Sequence, residues 1–460
     1  MNRLLTTQLC SMGTAALLLL SGLSSATAAP IQWTGAASDT WANPGNWDLG
    51  LPAPTDDVFF NAAGTYPSDL QVQLDVGLII GTLNISGDFD PAADYNFQPL
   101  ERLTNQLTVA AGLIAADFPT TGSTNKNIEL DSNIGFLSSL TILRTGTSAS
   151  NNRRLVFNRG LSESLPGLNV TIRNDANGGR EAIRFRDQLD WTGTTTIARG
   201  WVDLQGNRVD PTFGETGSLV LTATEDDTTI RMIRNTAAGD ATSDNDFQLG
   251  TAGDTQFFTS GSNATTETWT LLGDFTAGST TADLAFDMSA SDSIRLAGVI
   301  DVSSRLVIET PAGATLGEVL LDGQLLDAEG GVLIENNATL SGSGDLDFRI
   351  DNGSATSFGS SPIDVDGTLD ITSMNLNIVE LNGGVDGLSA YVIADYSDGQ
   401  LVGSEFASVS GTPAGYRVRT NANGGTQVVL ELVPEPHGFA TCGLWIVALL
   451  LRHVDRRRRA

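Results

Sequence analysis

Asp190-Trp-Thr-Gly193-Thr-Thr-Thr196-Ile-Ala-Arg-Gly200-Trp-Val-Asp-Leu204 sets two short β-patterned runs on either side of a glycine. The same pattern fills the chain from Leu70 to Leu432. Upstream it includes Leu70-Gln-Val72-Gln-Leu74, Leu107-Thr-Val109, Leu140-Thr-Ile142, Leu155-Val-Phe157 and Val170-Thr-Ile172. Downstream come Ile183-Arg-Phe185, Leu219-Val-Leu221, Ile230-Arg-Met232, Val332-Leu-Ile334 and Leu346-Asp-Phe348-Arg-Ile350. Apolar residues alternating with polar ones describe strands half-buried on one face, and Gly, Asn, Asp, Ser and Thr between them describe turns. No window keeps helical spacing, so an α/β sheet with crossover helices is excluded. The fold class is all-β.

Strands of three to five residues, short loops and fifty glycines suit a parallel β-solenoid, in which each coil turns a corner every few residues and stacks on the last. Stacked β-sandwiches are the alternative, and they call for longer strands and clearer hairpin dipeptides. The 190–204 stretch resembles the strand repeat of autotransporter passenger domains, "T-G-x-T-x-I-x-x-G-x-L-x-L", with Trp201 in place of the usual small residue. Repeats elsewhere are degenerate, which implies coils of irregular length.

The stretch Ile31–Asn61 carries Trp33, Trp41 and Trp47 among turn formers (Asn43-Pro44-Gly45-Asn46) and ends in Asp56-Asp57-Val-Phe59-Phe60. Residues 29–66 read as a Trp-rich N-terminal cap whose indoles seal the open end of the coils; sugar binding by exposed tryptophan is the alternative. This opening is similar to that of exported bacterial β-solenoid proteins, including autotransporter-associated repeat proteins. The solenoid body is assigned to 67–366. A C-terminal β module is assigned to 367–432, with strands at Leu369-Asp-Ile371, Met374–Ile378, Tyr391–Tyr396 and Val428–Leu432 that blunt the last edges.

The two termini read as addresses. Residues 1–28 have the form of a signal peptide: Arg3, an apolar core at Met12–Leu20, and the small-residue cleavage motif Ala26-Thr27-Ala28. Residues 433–460 hold Pro434-Glu435-Pro436, a 14-residue apolar run from Gly438 to Leu451, and Arg456, Arg457, Arg458 and Arg459. Fourteen helical residues span about 21 Å against a hydrocarbon core of about 30 Å, so this is a short membrane helix held by a basic stop. An ordinary C-terminal anchor after a Pro-rich spacer is one reading. The ordered set resembles the PEP-CTERM sorting tail. That resemblance implies an exosortase-type processing enzyme as a partner, after a Sec-type translocase and signal peptidase, and delivery to the cell envelope, cell surface or extracellular matrix among extracellular polysaccharide.

Composition bounds the chemistry. Cys10 and Cys442 lie in the two terminal segments, as do His437 and His453, so the body has no cysteine or histidine. Disulfides, zinc sites of the usual kind and His-based nucleophile systems are excluded there. Six arginines and two acids lie outside Ala29–Val433, which leaves 19 basic and 52 acidic residues inside, a net of −33. A surface of that sign repels nucleic acid. Ten of the body's arginines fall between Arg144 and Arg208 among six acids. Arg184 and Arg186 flank Phe185 on one strand face and are the candidate glycan contact, since a guanidinium grips carboxylate or sulfate bidentately. Neutralisation of acidic neighbouring coils is the competing reading.

Carboxylates pair at Asp56-Asp57, Asp226-Asp227 and Asp345/Asp347, but adjacent residues of a strand point to opposite faces and make poor acid/base pairs. No catalytic constellation, metal site or cofactor is expected. The expectation is an exported, non-enzymatic structural or adhesive protein. The alternatives are a polysaccharide-binding or polysaccharide-degrading β-helix, and an ice- or surface-binding protein suggested by Thr194-Thr-Thr196.

Overall fold

The computed structural model describes residues 30–61, 71–75, 77–86, 95–99, 106–118, 126–146, 153–175, 182–187, 189–206, 219–221, 228–234, 241–243, 245–249, 255–261, 268–276, 283–288, 292–303, 305–310, 317–328, 331–351, 354–355, 363–387 and 390–433. The expected signal segment with Ala26 and Ala28 lies outside these residues, and so does the tail from Pro434 with Arg456, Arg457, Arg458 and Arg459. Among the described residues the structure is β throughout apart from one 3-10 turn at Pro44–Asn46, and no helix is long and apolar enough to cross a membrane.

The strands pair in parallel and stack as a β-solenoid, not as sandwiches. One coil of the second unit shows the rule: Asp283–Met288 runs along one face, Ser293–Leu296 along the next, and Val299–Val302 along a third. The following coil repeats it with Arg305–Glu309, Gly317–Leu321 and Gln324–Ala328. We call the face of Val299–Val302 face one, that of Asp283–Met288 face two and that of Ser293–Leu296 face three. Register sets Leu284 over Leu306, Ile294 over Val319 and Ile300 over Leu325, so apolar residues stack on apolar residues down the interior. In parallel pairing, successive coils sit about 4.8 Å apart, and every inward side chain therefore touches its counterparts above and below.

Two compact units divide the chain, 1–193 and 194–460. In the first, Ile134 stacks on Leu107, Ile142 on Ile114 and Leu155 on Ile128. Trp191 is buried and meets Phe136 edge-on at 6.3 Å. In the second, Phe247 lies flat on Phe275 at 4.5 Å, and Phe257 on Phe286 at 5.4 Å. The long strand Thr195–Gly206 serves two faces in turn, pairing with Leu219–Leu221 and then Thr228–Arg234, and it bends where Gly200 takes a φ of +79°. A positive φ there is open to glycine at no steric cost.

Trp33, Trp41 and Trp47 are all buried and cluster with Phe60, with ring centroids 4.7 to 6.4 Å apart. This is the packing arrangement, not a sugar platform. Asn46 holds the cap from inside it. Its fully buried amide accepts from the backbone N–H of Ala37 and Ser38, and it donates to Ser38 Oγ and the Thr40 carbonyl. At the other end, parallel stacking continues past residue 366 through Thr368–Asp370, Asn375–Leu381, Gln400–Val402 and Ser408–Ser410. Among the described strands past residue 366, Tyr416–Ala422 and Gln427–Leu432 depart from it as an antiparallel pair, with Gln427–Leu432 laid on Tyr391–Asp395.

One corner of the second unit is built from glycine. Gly273, Gly298, Gly323 and Gly344 succeed one another at intervals of 25, 25 and 21 residues. A Cβ on Gly298, Gly323 or Gly344 would press on the carbonyl of the glycine one coil earlier. Backbone cannot yield as a flexible side chain does, so Gly298→Ala is expected to cost about 2–4 kcal/mol. A lowered urea midpoint with unchanged circular dichroism would show it, and an unchanged midpoint would refute the close approach.

Candidate functional site

The two arginines singled out from sequence are not presented together. In Ala182–Phe185 every residue is buried, Arg184 to 7% exposure. Its register partner Val156 is likewise fully buried, so the outward side of this coil is covered there. Arg186 follows the strand. Its Nη1 donates to Asn158 Oδ1 at 2.7 Å and lies 3.9 Å from Glu129 Oε1. Asn158 in turn donates to Glu129 Oε2 at 2.9 Å and to Asp131 Oδ1. Arg144 lies in the interior, fully buried, over the Phe118 ring at 4.6 Å, and donates to Asn174 Oδ1 at 3.1 Å. Arg173 bonds Asp175 at 2.8 Å. Arg144 and Arg184 thus lie in buried positions, Arg186 bonds across coils and Arg173 pairs within its own coil.

The carboxylate pairs behave similarly. Asp56 accepts from the Ala53 N–H and Asp57 from Thr82 Oγ1, each at 2.7 Å, while Asp226-Asp227 lies outside the described residues. Asp345 and Asp347 head two polar columns. Asn375 donates to Asp345 at 2.9 Å and Ser408 to Asn375 at 2.7 Å; Asn377 donates to Asp347 at 3.3 Å and Ser410 to Asn377 at 2.8 Å. Gln324 also donates to Asp347 at 3.0 Å. Within the threonine run Thr195 is buried, and Thr196 is in register with a valine, Val220, and not with another threonine.

The site that sequence reasoning missed is a carboxylate column on face two. Asp287 stacks on Glu309, and the register of Ile308 with Ile334 brings Glu335 next in line. Gln256 reaches across from an earlier coil, with Nε2 3.3 Å from Asp287 and 3.5 Å from Glu309. Beside the column, Ala285 and Val307 stack in register and are buried, although both occupy outward positions. Asp283 and Arg305 form an ion pair on the other side.

Burial, and then the charge of Glu309, push the Asp287 carboxyl up to about 7. Glu309 is raised too, by burial and by Glu335 and Asp283, against the opposing hydrogen bond from Gln256. Stacked carboxyls in a half-buried setting disfavour being charged together, and at Asp287 this leaves a group that can donate or accept a proton near neutral pH. Glu163 shows the opposite outcome. Burial pushes its carboxyl up, but the Thr192 hydroxyl and the N–H groups of Leu168, Thr192 and Gly167 hold it below its usual value. Among the described residues no group of His, Cys, Asp and Glu has the geometry to hold a metal ion.

With the geometry in hand, comparison with known proteins adds nothing further: no family model matches the chain, and no curated protein or solved structure is significantly similar to it.

Asp287 supplies a pH test. The folded carboxyl keeps its proton to about 7 and the unfolded one loses it near pH 4, so folding takes up a proton between these values. Stability therefore falls as pH rises through that window and stays at the lower level above it. Asp287→Asn is expected to gain about 1 kcal/mol at pH 8 and almost nothing at pH 4.5, after discounting for solvent. Urea denaturation at both pH values measures it; an equal effect at the two would contradict the shift.

Proposed function

We propose that the chain is an exported, non-enzymatic structural or adhesive protein of the cell envelope or extracellular matrix, with the β-solenoid as its body and residues 433–460 as its address. The observation that carries this reading is how the outward polar side chains are used. Asp345, Asn375 and Ser408, like Asp347, Asn377 and Ser410, bond along the stack from coil to coil instead of converging in a cleft. Such columns stiffen a scaffold and leave a uniform surface. Delivery rests on the resemblance of Pro434-Glu435-Pro436, the apolar run and Arg456–Arg459 to the PEP-CTERM tail. Its partners are then the translocase, signal peptidase and an exosortase-type enzyme, with extracellular polysaccharide as the surroundings. Fractionation of cells carrying the full chain or a chain cut after Val433 tests it. The full chain is expected in the envelope and the shortened one in the medium. Identical distributions would remove the tail from the account.

A second reading is favoured by the column at Asp287 and Glu309, where burial and neighbouring charge raise both carboxyls and Asp287 reaches about 7. It makes face two a surface for polysaccharide cleavage. Product release by the purified chain that peaks near neutral pH and disappears in Asp287→Asn would establish it, and no release from acidic or neutral polysaccharides would discard it.

A further inference from the structure

The three faces of the second unit finish differently at their C-terminal end. On face two, Tyr391–Asp395 is covered by the antiparallel strand Gln427–Leu432, and that strand in turn by Tyr416–Ala422. On face three, Gln400–Val402 pairs only with Thr368–Asp370 among the described strands, and on face one Ser408–Ser410 pairs only with Asn375–Leu381. Ser408, Val409 and Ser410 are all exposed. Val409 stacks on Leu376 and Leu376 on Leu346, both fully buried, so Val409 continues an interior column yet remains 43% exposed. The two polar columns also stop here. Ser408 and Ser410 each donate backwards, to Asn375 and Asn377, so serine oxygens stand last in line as acceptors.

A strand that completed this edge would carry hydrogen-bond donors at two alternate positions and an apolar residue between them. Ser408-Val409-Ser410 has that composition itself and reads the same in both directions. Antiparallel pairing about a two-fold axis sets Val409 against its own copy and Ser408 against Ser410, with two edges of unpaired backbone closing on each other. The first described strand offers no substitute. Pro30–Gln32 opens on a residue without an N–H; the Gln32 N–H already bonds Asp48 Oδ1 at 2.8 Å, and its carbonyl accepts from the Asp48 N–H at 3.1 Å. Head-to-tail addition is therefore disfavoured and a closed pair is left.

We propose that two copies of this chain associate through their C-terminal edges, with Val409 on the two-fold axis. Val402, 41% exposed, belongs to the last described strand of face three at the same end and widens the contact. Three residues of strand per copy make a small, reversible interface. The chain is strongly acidic, so its copies repel at long range while the Ser-Val-Ser edge is neutral; salt screens the repulsion and strengthens the pair. This inference is independent of the tail reading.

The test uses the full chain in detergent with Cys10 and Cys442 changed to Ser. Val409→Cys puts one thiol on the proposed axis, and Asp364→Cys puts one on exposed face two as the control. Under mild oxidation Val409→Cys is expected to give disulfide-linked dimer in about tenfold excess over the control, because directly opposed residues meet the spacing a disulfide needs. Sedimentation of the cysteine-free chain is expected to show a dimer that grows with salt and is lost in Val409→Asp, whose circular dichroism stays unchanged. Equal cross-linking at the two positions, or a dimer that survives Val409→Asp, overturns the proposal.

Discussion

Parallel stacking at one coil per strand spacing is the constraint on which everything else in this chain depends. It places each side chain about 4.8 Å from the residue at the same position in the next coil, so a position is stable only if its neighbour tolerates that company. Apolar positions satisfy this readily, as the stacked Phe247 and Phe275 show. Polar positions satisfy it when donors alternate with acceptors, as in Asp345, Asn375 and Ser408. Carboxylates meeting carboxylates do not satisfy it, and Asp287 over Glu309 is held by proton uptake.

This constraint explains which features were legible. Period-2 alternation and glycine corners gave the all-β solenoid, and three tryptophans among turn formers gave a cap that proves to be fully packed. Register was not legible. Equivalent glycines recur at 25, 25 and 21 residues, and Asp287, Glu309 and Glu335 at 22 and 26, so no fixed period aligns the carboxylates. A search anchored on Leu296-Ala-Gly298 and Leu321-Asp-Gly323 would have found the corner, though not the column on another face. Arg184 shows a second limit. Alternation assigns it an outward position, but alternation says nothing about what covers an outward face, and Arg184 and Val156 are both buried.

The ends of the stack follow from the same rule, because stacking always leaves a last strand. At the first strand the chain spends Pro30, Asp48 and the tryptophan cluster on closing the edge. At the last, Gln427–Leu432 and then Tyr416–Ala422 close one face, and the Ser408–Ser410 edge is left to a neighbour of matching pattern.

The cap also bears on the order in which the chain can acquire structure. Trp33, Trp41, Trp47, Phe60 and the partners of Asn46 lie within residues 33–60, and the next tie is close by, where the Trp41 N–H bonds the Gln73 carbonyl and the Ala42 N–H bonds Asp75. These partners are all in hand once Gln73 and Asp75 have emerged from whatever pore or ribosome delivers the chain. Each later coil then adds to a template already in place, and the longest wait for any strand is for the next coil of chain.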